Sequence, residues 1–446
     1  LSGVGCPEMG TLLTMPTMGE LNVDYRSYGS EYKDETARPG YYSTILTKYG
    51  IRTEVTATTR SSIERYTFPK GKGNLLFNLG NGLTNEVGAS LRRVSDTEFE
   101  GTRMLGTFCY NPQAVFPMYF VVRVNKKPAA YGMWKKQPDF GNAQKQWDEY
   151  QGKYKLYPGY GRDMAGNDIG YYMTYDCEEG EQVEVQVGVS FVSIANAREN
   201  LDKEQKGFNF DATANEAHDQ WASTLDKVTV EGGTEAQRRV FYTALYHSQI
   251  HPTILQDVNG EYPKMESSEN GKTSGNRYTV YSLWDTYRNL SQLETLLYPD
   301  RQVDMINSMI DMYREWGWMP KWELFSRETW TMEGDPAIPY IADAPVPRCL
   351  ARTTACVPTS TRTSARDTYP SDSMLPTCLA TTPCRTLWNI ISLTTPSLSL
   401  PANSDTRATP SCSVSARSAT ATTTQRRAAR CVPSTWTARS SLPSIL

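Results

Sequence analysis

The chain has 446 residues, is 39% hydrophobic and 21% charged, and carries a formal net charge of −3. That length allows two or three domains around a sizeable core, and the absence of any apolar run near the ~18 residues a spanning helix needs excludes a transmembrane helix. The average charge hides a break: of 46 basic and 49 acidic residues, 11 Arg and 3 Asp fall in 345–446, so residues 1–344 are net −11 and the remainder is +8.

Residues 1–195 read as strands. "TEVTATT" (53–59) and "MYFVVRV" (118–124) are β-branched or aromatic runs. In "QVEVQVGVSFVS" (182–193), Val183, Val185, Val187 and Val189 share one face, with Glu184 and Gln186 on the other. That period of two predicts a half-buried strand. Turn clusters separate such runs: "PKGKGN", "LGNGLTNEVG" and "PGYGRDMAGNDIG". Many short strands with Gly-rich turns predict a β-sandwich.

The period then changes. "SIANARENLDKEQ" and "DATANEAHDQWASTLDKV" predict a helical linker over 196–233. In "GGTEAQRRVFYTALYHSQI", Thr234 and Gln237 have capping-box spacing. Val240 with Ala244, and Phe241 with Leu245, follow at i, i+4. "PDRQVDMINSMIDMYREWG" offers Asp300 as N-cap and Val303, Ile306, Ile310 and Tyr313 as its apolar stripe. The fold class is thus β then α, with a helical domain beginning at 234 and running to 344.

Chemistry concentrates in two stretches. "YSLWDTYRNL" (281–290) gathers Trp284, Asp285 and Arg288. Spacing alone fits a helix-surface ion pair beside a core Trp. The functional alternative is a sugar platform, where an aromatic wall meets the apolar face of a pyranose and charged groups bond its hydroxyls. "GWMPKWELFSRETWTMEGDPAIPYIADA" (317–344) is denser: with Trp316 just before it, four Trp and the acids Glu323, Glu328, Glu333 and Asp335 share about one loop's length. So many Trp and carboxylates are hard to bury as plain core and costly to expose, which points to a ligand pocket. His247 and His251 are i, i+4 but lack the HExxH glutamate, so they are read as structural. Cys6, Cys109 and Cys177 form no CxxC pair, which argues against zinc. No phosphate loop or GxSxG elbow occurs.

Residues 345–446 contain no Lys, Glu, Gly, Phe or His, yet hold six of the nine Cys. A Ser/Thr/Pro linker seldom excludes Gly, Lys and Glu together while keeping Cys and Trp. A nucleic-acid arm would cluster its Arg and interleave aromatics, so no nucleic-acid partner is expected. A change of reading frame fits better. "WNIISLTTPS" (388–397), back-translated and read two bases later, gives EYYIADYAL. "LPANSDTR" gives ARKLGHK at the same offset, and "CVPSTWTA" gives RPFYMDGT. The stretch after Ala344 is therefore expected to carry no genuine fold.

Several long segments resemble glycoside hydrolase family 92: "ARPGYYSTILTKYGIRTEVTATTRSSIERYTFP", "FYTALYHSQIHPTILQDVNGEY", "YTVYSLWDTYRNLSQLETLLYPDRQVDMINSMIDMYREWGWMPKW" and "GDPAIPYIADA". The resemblance covers most of residues 1–344, and the opening "LSGVGCPEMGTLLTMP" looks like a family segment that normally follows FSHTH. It implies an N-terminal β-sandwich, a helical linker and an (α/α)6 barrel, here only begun. It implies an inverting, calcium-dependent exo-α-mannosidase, often α-1,2-specific, acting on mannose-containing glycans. It further implies a secreted, periplasmic or cell-surface bacterial protein. The substrate-binding candidates it carries over are Trp284, Asp285 and Arg288 and, more loosely, Glu328 and Asp335. Its catalytic acid and base lie in VEGNAWQY-like and GNDD-like strings that do not occur in this sequence. No catalytic residue or calcium ligand can therefore be placed, and the polypeptide as written is expected to be inactive. A carbohydrate-binding protein without activity, or another β-sandwich and (α/α)6 glycosidase or phosphorylase, is the alternative. Oligomeric state has no signature here.

Overall fold

The computed structural model describes residues 10–82, 86–106, 111, 114–136 and 154–344. The readings placed on Cys6, Cys109 and residues 345–446 lie outside the described residues.

The strands are β1 (Leu13–Met18), β2 (Tyr32–Arg38), β3 (Tyr41–Leu46), β4 (Ile51–Ala57), β5 (Ser61–Phe68), β6 (Gly71–Asn78), β7 (Glu86–Arg93), β8 (Glu98–Leu105), β9 (Phe116–Val124), β10 (Ala130–Lys136), β11 (Tyr154–Pro158), β12 (Met164–Gly166), β13 (Ile169–Cys177) and β14 (Glu181–Ser190), with a short helix α1 (Tyr25–Tyr28) after β1. They form a five-stranded sheet, β1-β6-β13-β10-β11, and a nine-stranded sheet, β12-β7-β8-β9-β14-β5-β4-β3-β2. Pairing is antiparallel throughout, so each strand's alternate residues face the partner sheet. Phe99 on β8 joins the layers: its ring lies 4.8 Å from Phe77 on β6 and 4.5 Å from Tyr171 on β13. Val183, Val185 and Val187 enter this core as the period of two predicts.

The opposite face of β14 does not meet water. Gln186 is buried and donates to the Gly207 carbonyl at 2.9 Å. The reason is a cover of two linker helices, α2 (Ile194–Glu204) and α3 (Phe210–Leu225). Ala197 and Leu201 pack on Val121, and Phe210 and Ala214 pack on Ile63. Strand alternation therefore understates burial wherever a second layer sits outside the sheet.

Helix α4 (Glu235–Ser248) begins with the predicted capping box at Thr234 and Gln237. Of its expected stripe only Leu245 is buried; Val240 and Phe241 stay exposed. After it come β15 (Thr253–Ile254), β16 (Glu261–Pro263), β17 (Asn270–Lys272), β18 (Tyr278–Thr279), β19 (Tyr281–Ser282), α5 (Leu283–Thr286), α6 (Leu290–Leu297), α7 (Pro299–Trp316), β20 (Trp322–Leu324), β21 (Arg327–Glu328) and α8 (Ala337–Ala342). On α7, Pro299 occupies the first helical position and Tyr298 the N-cap, so Asp300 sits in the first turn rather than capping it. The buried stripe is Gln302, Met305, Ile306, Met309 and Met312, while Val303, Ile310 and Tyr313 are half-exposed. This helix is apolar on two faces, and periodicity could not say which one the neighbours cover.

The helical part is fastened to the sandwich by buried polar groups. Asp257 accepts from Ser190 Oγ (2.7 Å), Asn196 Nδ2 (2.8 Å) and Asn200 Nδ2 (2.6 Å). Burial pushes its carboxyl above the ordinary value, and these three donors oppose that rise. An aromatic plug adds to it: Phe325 stacks 4.8 Å from Phe191 and lies 5.1 Å from Phe116.

Candidate carbohydrate site

The two sequence stretches singled out for chemistry meet in one small sheet, β19-β20-β21. Tyr281 pairs with Glu323, and Glu323 with Glu328. Both Glu side chains are fully buried. Glu323 accepts from Thr279 Oγ1 (2.7 Å), the Val280 amide (3.0 Å) and the Ser326 amide (2.5 Å). Burial pushes its carboxyl up to about 7, against those bonds and the charge of Arg277. Glu328 accepts from the amides of Lys321 (2.8 Å), Trp322 (3.1 Å) and Trp330 (3.2 Å). Burial raises it as well.

These bonds hold an unusual backbone. Of the eight non-glycine residues at positive φ among the described residues, six cluster here: Glu266, Val280, Phe325, Ser326, Trp330 and Met332. The β20–β21 loop is the pair Phe325–Ser326 at φ 47° and 65°. Two successive positive φ values are what a type I′ hairpin turn requires, normally met by Asn-Gly. Here the Glu323 carboxylate and Thr279 hydroxyl take the turn's two amides instead. At Val280, φ 66° is an outlier for a β-branched residue, anchored through its amide to Glu323. Strain of this kind persists only where surrounding contacts over-determine it, and it gathers at functional sites.

What the sheet presents follows directly. α5 leaves β19 and carries Trp284 and Asp285 exposed at the surface. The Ser282 hydroxyl donates to Asp285, so the expected Asp285–Arg288 ion pair is replaced by a local turn bond. Arg288 instead covers two rings, its guanidinium carbon 5.2 Å from the centroids of both Trp284 and Tyr287. Beside it opens a cleft of about 530 Å³ lined by Tyr287, Arg288, Gln292, Pro339, Ala342 and Asp343. α8 supplies the far wall and is tied to α7 by the Tyr340 hydroxyl donating to Gln302 Oε1 at 2.9 Å.

The structure thus brings Trp284, Asp285 and Arg288 together. Asp335 is exposed on the approach to α8 and is not among the residues that line the cleft. Glu328 stands apart: fully buried beneath the surface, with both oxygens occupied by backbone amides. Sequence reasoning passed over Tyr287, Gln292 and Asp343. The i, i+4 spacing of Pro339 and Asp343 on a short helix was the available signal. His247 and His251 join no metal-binding group, and among the described residues no three His, Cys, Asp or Glu stand close enough to hold an ion. No chemical step is therefore routed through a metal ion. No described helix is long and apolar enough to cross a membrane.

Comparison with known proteins accounts for both halves. Residues 1–190 match the glycosyl hydrolase family 92 N-terminal domain and residues 196–367 the family 92 catalytic domain. A protein of Arthroderma benhamiae named as an uncharacterized secreted glycosidase is 24% identical over 324 residues, covering 69% of this chain and 36% of that protein. A family 92 α-mannosidase of Bacteroides thetaiotaomicron is 27% identical with a TM-score of 0.67, over 77% of this chain and 46% of its own; the same enzyme is known with mannoimidazole. A family 92 inverting mannosidase of that bacterium, 24% identical with a TM-score of 0.64 over 75% of this chain and 42% of its own, shares the fold. The chain spans less than half the length of each of these relatives.

Proposed function

The chain belongs to glycosyl hydrolase family 92, and from that premise we propose that the protein it represents hydrolyses terminal α-linked mannose from glycans, with inversion and with α-1,2 linkages favoured. The observation that carries the proposal is the exposed Trp284–Asp285–Arg288 platform beside the cleft, raised on a strained, buried-carboxylate sheet. A terminal pyranose offers an apolar face to Trp284, whose ring is already flanked by the Arg288 cation. Asp285 and the free edge of Arg288 supply charge-assisted bonds to vicinal hydroxyls, with Asp335, exposed just before α8, as a further candidate. Glu328 acts beneath the sugar by fixing the backbone that presents the surrounding residues. Domain limits of 1–195, 196–233 and 234–344 suit this division of labour between sandwich, linker and pocket wall.

Inverting hydrolysis needs a carboxylic acid for the leaving oxygen and an opposed carboxylate for water, about 6.5–9.5 Å apart. The acid-bearing and base-bearing strings of the family are missing from the 446 residues, so this polypeptide binds mannose and does not cleave it. The +8 charge of residues 345–446, with no Lys, Glu or Gly, supports a change of reading frame near Ala344, although the family match itself runs on to residue 367. The nucleotide sequence there decides it: one uninterrupted frame encoding family-like text on both sides would contradict the shift. A secreted or surface location accords with the name of the Arthroderma relative.

The functional test is direct. Incubated with α-1,2-mannobiose, the chain is expected to release no mannose above background while binding methyl α-mannoside saturably. Binding confined to residues 1–225 would favour a carbohydrate-binding sandwich acting alone, and phosphate-dependent cleavage would favour a phosphorylase.

A further inference from the structure

Trp330 belongs to the Trp-rich stretch but is given no contact with the sugar in the reading above, and its placement is specific. β19 and β21 both run antiparallel to β20, so they run parallel to each other and leave the sheet at the same end. Trp284 lies two residues past the end of β19, and Trp330 two residues past the end of β21. Both are displayed, Trp284 38% and Trp330 51% exposed. Trp330 is held at φ 56°, a left-handed conformation that opposes any side chain with a Cβ. Two contacts keep it there: its amide donates to Glu328 Oε1 at 3.2 Å, and its ring meets Trp316 edge-on at 5.6 Å. A half-exposed indole in a disfavoured backbone state, anchored by a buried carboxylate, is costly to maintain as mere surface.

We infer that Trp330 forms a second aromatic wall for the carbohydrate, stacking on the sugar unit next to the terminal mannose held at Trp284. This rests on the mannose-binding reading above and adds a subsite to it. Glu328 is then a positioning residue, acting through the Trp330 amide. Trp284 takes the terminal ring, and Trp330, leaving the same end of the sheet, takes the apolar face of the following ring. Discrimination between a mannoside and a mannobiose thereby resides in Trp330.

The experiment titrates methyl α-mannoside and α-1,2-mannobiose calorimetrically into the full chain. The wild-type chain is expected to bind mannobiose about tenfold more tightly than the monosaccharide, equivalent to about 1.4 kcal/mol. Trp330→Gly, whose glycine accepts φ 56° without strain, is expected to bring that ratio close to one. Trp330→Phe retains most of the ratio, and Trp330→Leu, apolar but without an aromatic face, does not. A ratio of one in the wild-type chain, or one that survives in the Gly or Leu variant, overturns the inference and leaves mannose binding standing. A wild-type chain that binds neither sugar overturns both.

Discussion

Replacing Phe325 by alanine and by glycine separates packing from backbone strain at the joint between sandwich and helical domain. The ring is buried, stacks on Phe191 at 4.8 Å and leans on Phe116 at 5.1 Å. Its removal should cost about 3–5 kcal/mol, the usual range for a buried Phe cut to Ala. At ordinary positions glycine is then about 0.4–1 kcal/mol worse than alanine, because its unfolded chain is freer. At φ 47° the order reverses, since alanine bears a left-handed penalty of about 1–2 kcal/mol that glycine escapes. Phe325→Gly is therefore expected to be more stable than Phe325→Ala by up to about 1.6 kcal/mol, the penalty less the chain-entropy term. The neighbouring strand residue Leu324, also fully buried, should show the ordinary order. Urea unfolding followed through tryptophan fluorescence, with buried Trp322 nearby, measures all four variants. An alanine variant more stable than the glycine one at 325 would refute the turn geometry, and a loss under about 1 kcal/mol in both would refute the plug.

Other expectations follow from buried groups. Glu323 is raised from 4.5 to about 7, so the folded chain holds that proton more tightly than the unfolded one; the resulting stability is complete below pH ~4.5 and is lost as pH rises through about 7. The swing is about 3 kcal/mol for this group, and Glu323→Gln should remove it from the pH profile of the unfolding midpoint. Glu64, also raised to about 7 by burial, keeps its own share in that variant. Arg277 is buried, donates to Glu315 at 2.8 Å and covers Tyr262 at 4.7 Å. Arg277→Met should cost about 3–5 kcal/mol by leaving the Glu315 carboxylate without its counter-charge, held only by the Tyr262 hydroxyl and the Met265 amide, and adding Glu315→Gln should recover about 1–3 kcal/mol of it in a double-mutant cycle. Thr234→Ala, which opens the capping box of α4, should cost about 1 kcal/mol in the same assay.

The β-then-α division was legible because sheet and helix periods differ so plainly between Val183 and Leu245. The faces were less so. Gln186 and Ile63 are covered by the linker segment, which for Ile63 comes from Phe210 far along the chain, and no alternation within a strand announces a second cover. α7 is apolar on two faces, so Met305 and Met309 rather than Val303 and Ile310 were chosen by packing. At the candidate site, Trp284, Asp285 and Arg288 were proposed from their crowding in one stretch. The burial of Glu323 and Glu328 was not, because a carboxylate that organises a strained turn has the same composition signal as one that faces a sugar. The sign of that difference lies in non-local donors, Thr279 and Val280 for one and Lys321 for the other.

The most direct test is the pairing of two readouts on one sample of the full chain: methyl α-mannoside titrated calorimetrically, and mannose liberated from α-1,2-mannobiose. Saturable binding that disappears in Asp285→Ala and Arg288→Ala, with no liberated mannose, is the predicted result. Turnover by the unaltered chain, or binding indifferent to both substitutions, would contradict it.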